Sequence, residues 1–164
     1  MPFKENSFST AHPEITPDGK TLYFASDRPG SLGESDLWKV AINEDGSFGT
    51  VENLGDKINT PGRETFPFIS KDGKLYFSTD GRAGLGGLDV YVYDFESETI
   101  ENVGAPVNST KDDFTFIINS DTGKGFFASN RANDPLDDDI YSFIKAACES
   151  TLIVKVVDKF FFFF

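Results

Sequence analysis

The string Tyr23-Phe24-Ala25-Ser26-Asp27-Arg28 returns as Tyr76-Phe77-Ser78-Thr79-Asp80-Gly81-Arg82 and again as Phe126-Phe127-Ala128-Ser129-Asn130-Arg131. The leading aromatics lie 53 and then 50 residues apart. A second string, Asp36-Leu37-Trp38, recurs as Asp89-Val90-Tyr91 and Asp139-Ile140-Tyr141 with the same two spacings. Two independent strings sharing one period mark an internal repeat, and a repeat of this length marks a solenoid, propeller or array.

The second copy is the easiest to parse. Thr65-Phe66-Pro67-Phe68-Ile69 reads as a first strand, and Lys71-Asp72-Gly73-Lys74 as a turn whose Gly supplies φ > 0. Leu75-Tyr76-Phe77-Ser78 is a second strand, Gly81 to Gly87 a glycine-rich loop, and Asp89-Val90-Tyr91-Val92-Tyr93 a third strand. A weaker fourth strand falls near Ile100-Glu101-Asn102-Val103, echoing Thr50-Val51-Glu52-Asn53-Leu54 one repeat earlier. Four short strands in about 50 residues describe a β-propeller blade. The expectation is an all-β chain with three four-stranded antiparallel blades over 8–60, 61–109 and 110–145, together a partial propeller across 1–145. Propellers close with about 4–8 blades. Three blades therefore imply part of a longer ring, expected to be six-bladed, or two copies completing one ring as a homodimer.

Composition excludes several function classes. The 164 residues carry 27 acidic and 15 basic side chains, a formal net charge of −12, which argues against nucleic acid as a partner. One His and one Cys cannot assemble a Cys/His zinc site or an internal disulfide. No apolar run approaches the ~20 residues of a membrane-spanning helix. The opening Met1-Pro2-Phe3-Lys4-Glu5-Asn6 lacks the apolar core of a signal peptide.

The run from Ala11-His12-Pro13-Glu14 through Pro17-Asp18-Gly19-Lys20 to Ser26-Asp27-Arg28-Pro29-Gly30 resembles the WD-like repeat of TolB-type propellers. Asn53-Leu54-Gly55, Ile58-Asn59-Thr60, Phe66-Pro67-Phe68, Gly86-Gly87-Leu88-Asp89, Pro106-Val107-Asn108-Ser109, Asp112-Asp113-Phe114 and Asp138-Asp139-Ile140-Tyr141 are similar to a narrower group. That group is the propeller segments of OmpA-family envelope proteins of Bacteroidetes-type bacteria, one member of which belongs to the type IX secretion apparatus. The likeness covers residues 8–145. It implies a periplasmic, outer-membrane-associated interaction scaffold whose propeller surface meets other envelope proteins. Peptidoglycan binding would reside in a domain absent from this chain. By the same resemblance, 146–164 is a linker and the first strand of a carboxypeptidase-regulatory-like domain, ending anomalously in five phenylalanines at 160–164.

The recurring polar residues Asp27, Arg28, Asp36, Asp80, Arg82, Asp89, Arg131 and Asp139 are expected to be structural. An Asp entering the third strand would accept N–H groups of the preceding loop, and the repeated Arg would bridge to that Asp. The densest carboxylate cluster is Asp137-Asp138-Asp139, near Asn133 and Asp134. It is a candidate calcium site, set against a plain solvated loop because the EF-hand glycine and closing glutamate are missing. No Gly-x-Ser-x-Gly elbow is present, and His12 and Cys148 lack catalytic company in sequence. The expectation is no enzyme and no cofactor. The alternative is a fragment of a propeller glycoside hydrolase or sugar-binding lectin.

Overall fold

The computed structural model describes residues 7–132, 137–145 and the strand 152–156. The first sheet holds β1 (Thr10–Ile15), β2 (Thr21–Ser26), β3 (Asp36–Ile42) and β4 (Phe48–Asn53). The second holds β5 (Glu64–Ile69), β6 (Leu75–Thr79), β7 (Asp89–Asp94) and β8 (Thr99–Asn102); the third holds β9 (Asp113–Asn119), β10 (Lys124–Ser129), β11 (Asp139–Lys145) and β12 (Leu152–Val156). Each sheet keeps sequence order, with every neighbouring pair antiparallel. No helix occurs among the described residues. These are three β-propeller blades.

Local sequence accounts for the strand ends. The turn from first to second strand places Gly19, Gly73 and Gly123 at φ 74°, 80° and 67°, a left-handed conformation that glycine adopts without a Cβ penalty. Among the strands, β1 lies against β5 and β5 against β9, whereas β4, β8 and β12 meet only their own sheets. First strands are therefore innermost and fourth strands outermost.

The segment expected to open a separate domain contains β12, which pairs with β11 from Tyr141↔Val156 to Lys145↔Leu152. It completes the third blade. An unpaired edge of β11 offers a row of N–H and C=O groups, and Leu152-Ile153-Val154-Lys155-Val156 is a strand-favouring run that can take them. Cys148 and the phenylalanines at 160–164 lie outside the described residues.

Alternating side chains give each blade two apolar faces. One carries Phe24 and Trp38, Phe77 and Tyr91, or Phe127 and Tyr141; the other carries Tyr23 and Leu37, Tyr76 and Val90, or Phe126 and Ile140. Phe77 and Tyr91 of the second blade cluster with Tyr23 and Leu37 of the first. Phe127 and Tyr141 of the third cluster with Tyr76 and Val90 of the second. Phe116 mediates that second junction, with its ring 4.8 Å from those of Tyr76 and Phe143.

Candidate functional site

Four sets of recurring polar residues hold the blades in shape, and the geometry repeats closely. The first set caps the innermost strands. Asp27 accepts the Ser9 N–H at 2.5 Å, Asp80 the Arg63 N–H at 2.7 Å, and Asn130 the Asp112 N–H at 2.9 Å. Asp80 also takes both Nε and Nη2 of Arg63 at 2.8 and 2.7 Å. Burial pushes the Asp80 carboxyl up, but the Arg63 N–H and guanidinium outweigh it and hold it below the usual carboxylate range.

The second set shapes the loop before the third strand. Asp36 accepts the N–H groups of Leu32 and Gly33 at 2.8 and 3.1 Å. Asp89 accepts those of Leu85 and Gly86 at 2.9 and 3.1 Å. Both carboxylates are buried. The loop then presses on the next blade: a Cβ at Gly33 would fall 2.2 Å from the Gly62 and Thr60 carbonyl oxygens, and one at Gly86 2.0 Å from that of Lys111. Only glycine fits such an approach. Asp139 is half-buried, and residues 133–136 of its loop lie outside the described set.

The third set corrects an expectation. Arg82 and Arg131 do not bridge to Asp89 and Asp139. Arg82 donates to the carbonyls of Lys57 and Ile58 at 2.5 and 3.2 Å. Arg131 donates to those of Pro106, at 2.8 Å, and Val107, and pairs with the buried Asp113. Asp89 accepts its loop N–H groups through Oδ2 alone, while the guanidinium reaches the carbonyls of the chain entering the blade instead. Arg28 donates to Ser26 at 3.4 Å and lies over the rings of Phe8, Phe24 and Trp38.

The fourth set was not singled out as functional in the sequence. Asn59 accepts the Leu37 N–H at 2.8 Å, donates to the Leu37 carbonyl at 3.1 Å and donates to Asn53 at 2.8 Å. Asn108 does the same with Val90 and Asn102, at 2.8, 2.9 and 2.8 Å. Each amide extends the ladder just past the end of β4 or β8, beside the Leu54 or Val103 N–H that donates to the same carbonyl at 3.1 Å. The signal was available, because Asn53, Gly55 and Asn59 recur 49 residues later as Asn102, Gly104 and Asn108.

A different kind of feature lies along the innermost strands. His12, Phe66 and Thr115 have φ of 52°, 50° and 53°, which is strained for non-glycine residues and most of all for the β-branched Thr115. Each sits where β1, β5 or β9 bulges against its partner, and bulges re-aim side chains. The His12 ring stacks on Phe66 at 3.9 Å, and Phe66 on Phe114 at 5.2 Å. His12 Nδ1 lies 2.6 Å from Thr65 Oγ1, and partial desolvation lowers the imidazole pKa. An open cleft of about 360 Å³ runs beside them, lined in part by Asp27, Glu34, Ser35 and Arg63. It is an open, mixed surface with one imidazole, two carboxylates and one guanidinium along its walls.

Of the candidate calcium ligands, Asp137 and Asp138 are exposed. Asn133 and Asp134 lie outside the described residues. Among the described residues no three His, Cys, Asp or Glu side chains converge as a metal site would require.

The fold and these repeated clamps define a class: a segment of β-propeller made of three consecutive blades. No known family pattern matches the chain, and no curated protein does either. Among solved structures it is similar to puromycin hydrolase in two crystal structures, at 13% identity each and TM-scores of 0.44 and 0.43. Those likenesses take in 83% and 82% of this chain and 27% of the hydrolase chain, so the chain spans about a quarter of that length.

Proposed function

We propose that this chain is a non-catalytic propeller scaffold of the cell envelope, where its blade surface meets other envelope proteins. One observation carries the scaffold part: Asp36, Asp89, Asn59, Asn108, Arg82 and Arg131 bond to backbone groups of their own or adjoining blades. Side chains so used hold loop shape. A catalytic carboxylate or base needs reach to a substrate proton instead. The periplasmic, outer-membrane location rests on the resemblance of the linker and strand motifs to OmpA-family propeller segments.

The test has two readouts. Fractionation of cells making the full-length parent protein is expected to recover it with the outer membrane, and recovery in the cytosol would overturn the location. A panel of aryl-glycoside and aminoacyl-amide substrates is expected to show no turnover. Turnover that disappears on substituting one carboxylate or His12 would favour the hydrolase alternative.

A further inference from the structure

The arginine that recurs after the second strand is well supplied with acceptors in the third blade and left short of them in the second. Arg131 donates Nε to Ser129 at 2.9 Å and Nη1 to the Pro106 carbonyl at 2.8 Å, and it pairs with Asp113. Arg82 bonds only to carbonyls, and only through Nη2. Its Nε is buried without an acceptor, and among the described residues no acid forms an ion pair with it. Local sequence accounts for the difference. Thr79 stands at the repeat position of Ser129 but gives its hydroxyl to Glu64 at 2.6 Å; Glu64, at the position of Asp113, also takes the Thr60 hydroxyl. Gly81 adds one residue between Asp80 and Arg82, where Asn130 and Arg131 are adjacent. An unmet donor at a buried site costs free energy.

Arg82 lines an open cleft of about 690 Å³ at the junction of the first two blades, a size ordinary for small-ligand sites. Leu32, Pro61, Tyr91 and Ile100 give it apolar walls, and the Leu32 side chain is 53% exposed there. Asp56, the other charged lining group, makes no ion pair with Arg82. We propose that this cleft binds an apolar carboxylate, either a free acid or the C-terminal residue of a peptide. Its carboxylate gives Arg82, through Nη1, the acid partner that Arg131 has in Asp113, and guanidinium–carboxylate bonds are among the strongest side-chain hydrogen bonds. Its apolar body lies against Leu32 and its neighbours. The site goes beyond the scaffold reading and depends neither on the envelope location nor on the absence of catalysis.

Titration of the isotope-labelled full chain with N-acetyl-leucine, followed through the Arg82 Nε–H and Leu32 amide NMR signals, tests this. Saturable shifts of both are expected, with N-acetyl-leucinamide, which lacks the charge, binding at least about tenfold more weakly. Leu32→Glu replaces an exposed side chain, so the circular dichroism spectrum should not change, while the acid should bind about tenfold more weakly because apolar wall is lost and like charge gained. Arg82→Gln should abolish binding; should that variant fail to fold, Leu32→Glu decides alone. A leucine-ended tripeptide that binds more tightly than N-acetyl-leucine assigns the site to a chain end, and one that binds no better assigns it to the free acid. Absence of saturable shifts with both acids overturns the proposal, as do equal binding of acid and amide, binding that Leu32→Glu leaves unchanged, and acetate binding as tightly as N-acetyl-leucine.

Discussion

The second and third blades use the same repeat to different ends. Val90 and Ile140 are equivalent, as are Tyr76 and Phe126, yet the first of each pair is buried and the second exposed. The inward faces barely differ: Phe77 and Phe127 are each 1% exposed. The acid opening the innermost strand differs too. Glu64 accepts hydroxyls from Thr60 and Thr79, both at 2.6 Å, and the Thr60 N–H at 2.8 Å. Its shorter counterpart Asp113 accepts from Ser109 and pairs with Arg131. A repeat position is thus defined by its neighbours as much as by its residue type, and one blade of offset changes the neighbours.

The largest effect that would break this comparison is a truncation on opposite faces of one strand. Phe127→Ala leaves a cavity at a 1% exposed position and should cost about 3–5 kcal/mol. Phe126→Ala, next along β10 but exposed, should change the stability of the monomer by less than about 1 kcal/mol. Denaturant melts at a concentration where the chain is monomeric give both values, and equal losses would mean the third blade's outer face is covered within one chain.

Next comes the ion pair between Arg131 and Asp113 in the third blade. Asp113→Ala removes a fully buried carboxylate from Arg131, whose side chain is 20% exposed. The loss should lie toward the lower end of the ~3–5 kcal/mol seen when a buried pair is broken from one side. Arg131 keeps its carbonyl partners, so Arg131→Lys should recover part of the wild-type melting temperature relative to Arg131→Ala.

The second blade's acid predicts a pH effect instead. Burial is the dominant cause raising the Glu64 pKa above the ordinary glutamate value, against the hydrogen bonds from Thr60 and Thr79, which lower it. The folded chain then holds that proton more tightly than the unfolded chain. Stability from this group is greatest below the ordinary glutamate pKa and declines as pH rises from there through the raised folded value. Glu64→Gln should remove that decline, so its stability relative to wild type should improve between acid and neutral pH. A constant difference across that window would contradict the burial of an ionisable group at this position.

The smallest effect concerns bridges between blades at the surface. Lys71 of the second blade meets Asp121 of the third at 2.5 Å, with 71 and 62% of the side chains exposed. Exposed pairs contribute about 0–1 kcal/mol. Lys71→Ala should therefore lower the melting temperature by no more than a few degrees, and a larger drop would show that the junction depends on rim charge rather than on Phe116 and Tyr76.

Much of this was legible from the repeat. The Gly73 turn and the four-strand unit follow from spacing and turn chemistry, which act over a few residues. The direction of Arg82 and Arg131 did not follow. The nearest acid in sequence suggested itself as partner, but the guanidinium reaches carbonyls that lie 25 residues back along the chain. The pairing of 152–156 with β11 did not follow either, because sequence says nothing about which free strand edge lies closest. The strain at His12, Phe66 and Thr115 left no trace in sequence, since φ > 0 there is imposed by bulges and not by glycine.

Sequence alone determined the period, the four-strand unit of the first two repeats and the alternation that gives each blade two apolar faces. Those depend on local propensity and on a side-chain period of two. Tertiary structure alone decided which of those faces is covered, which carbonyls the arginines grip and where the last strand pairs. Each of these is a choice among chemically similar partners, and only the positions of whole sheets in space select one.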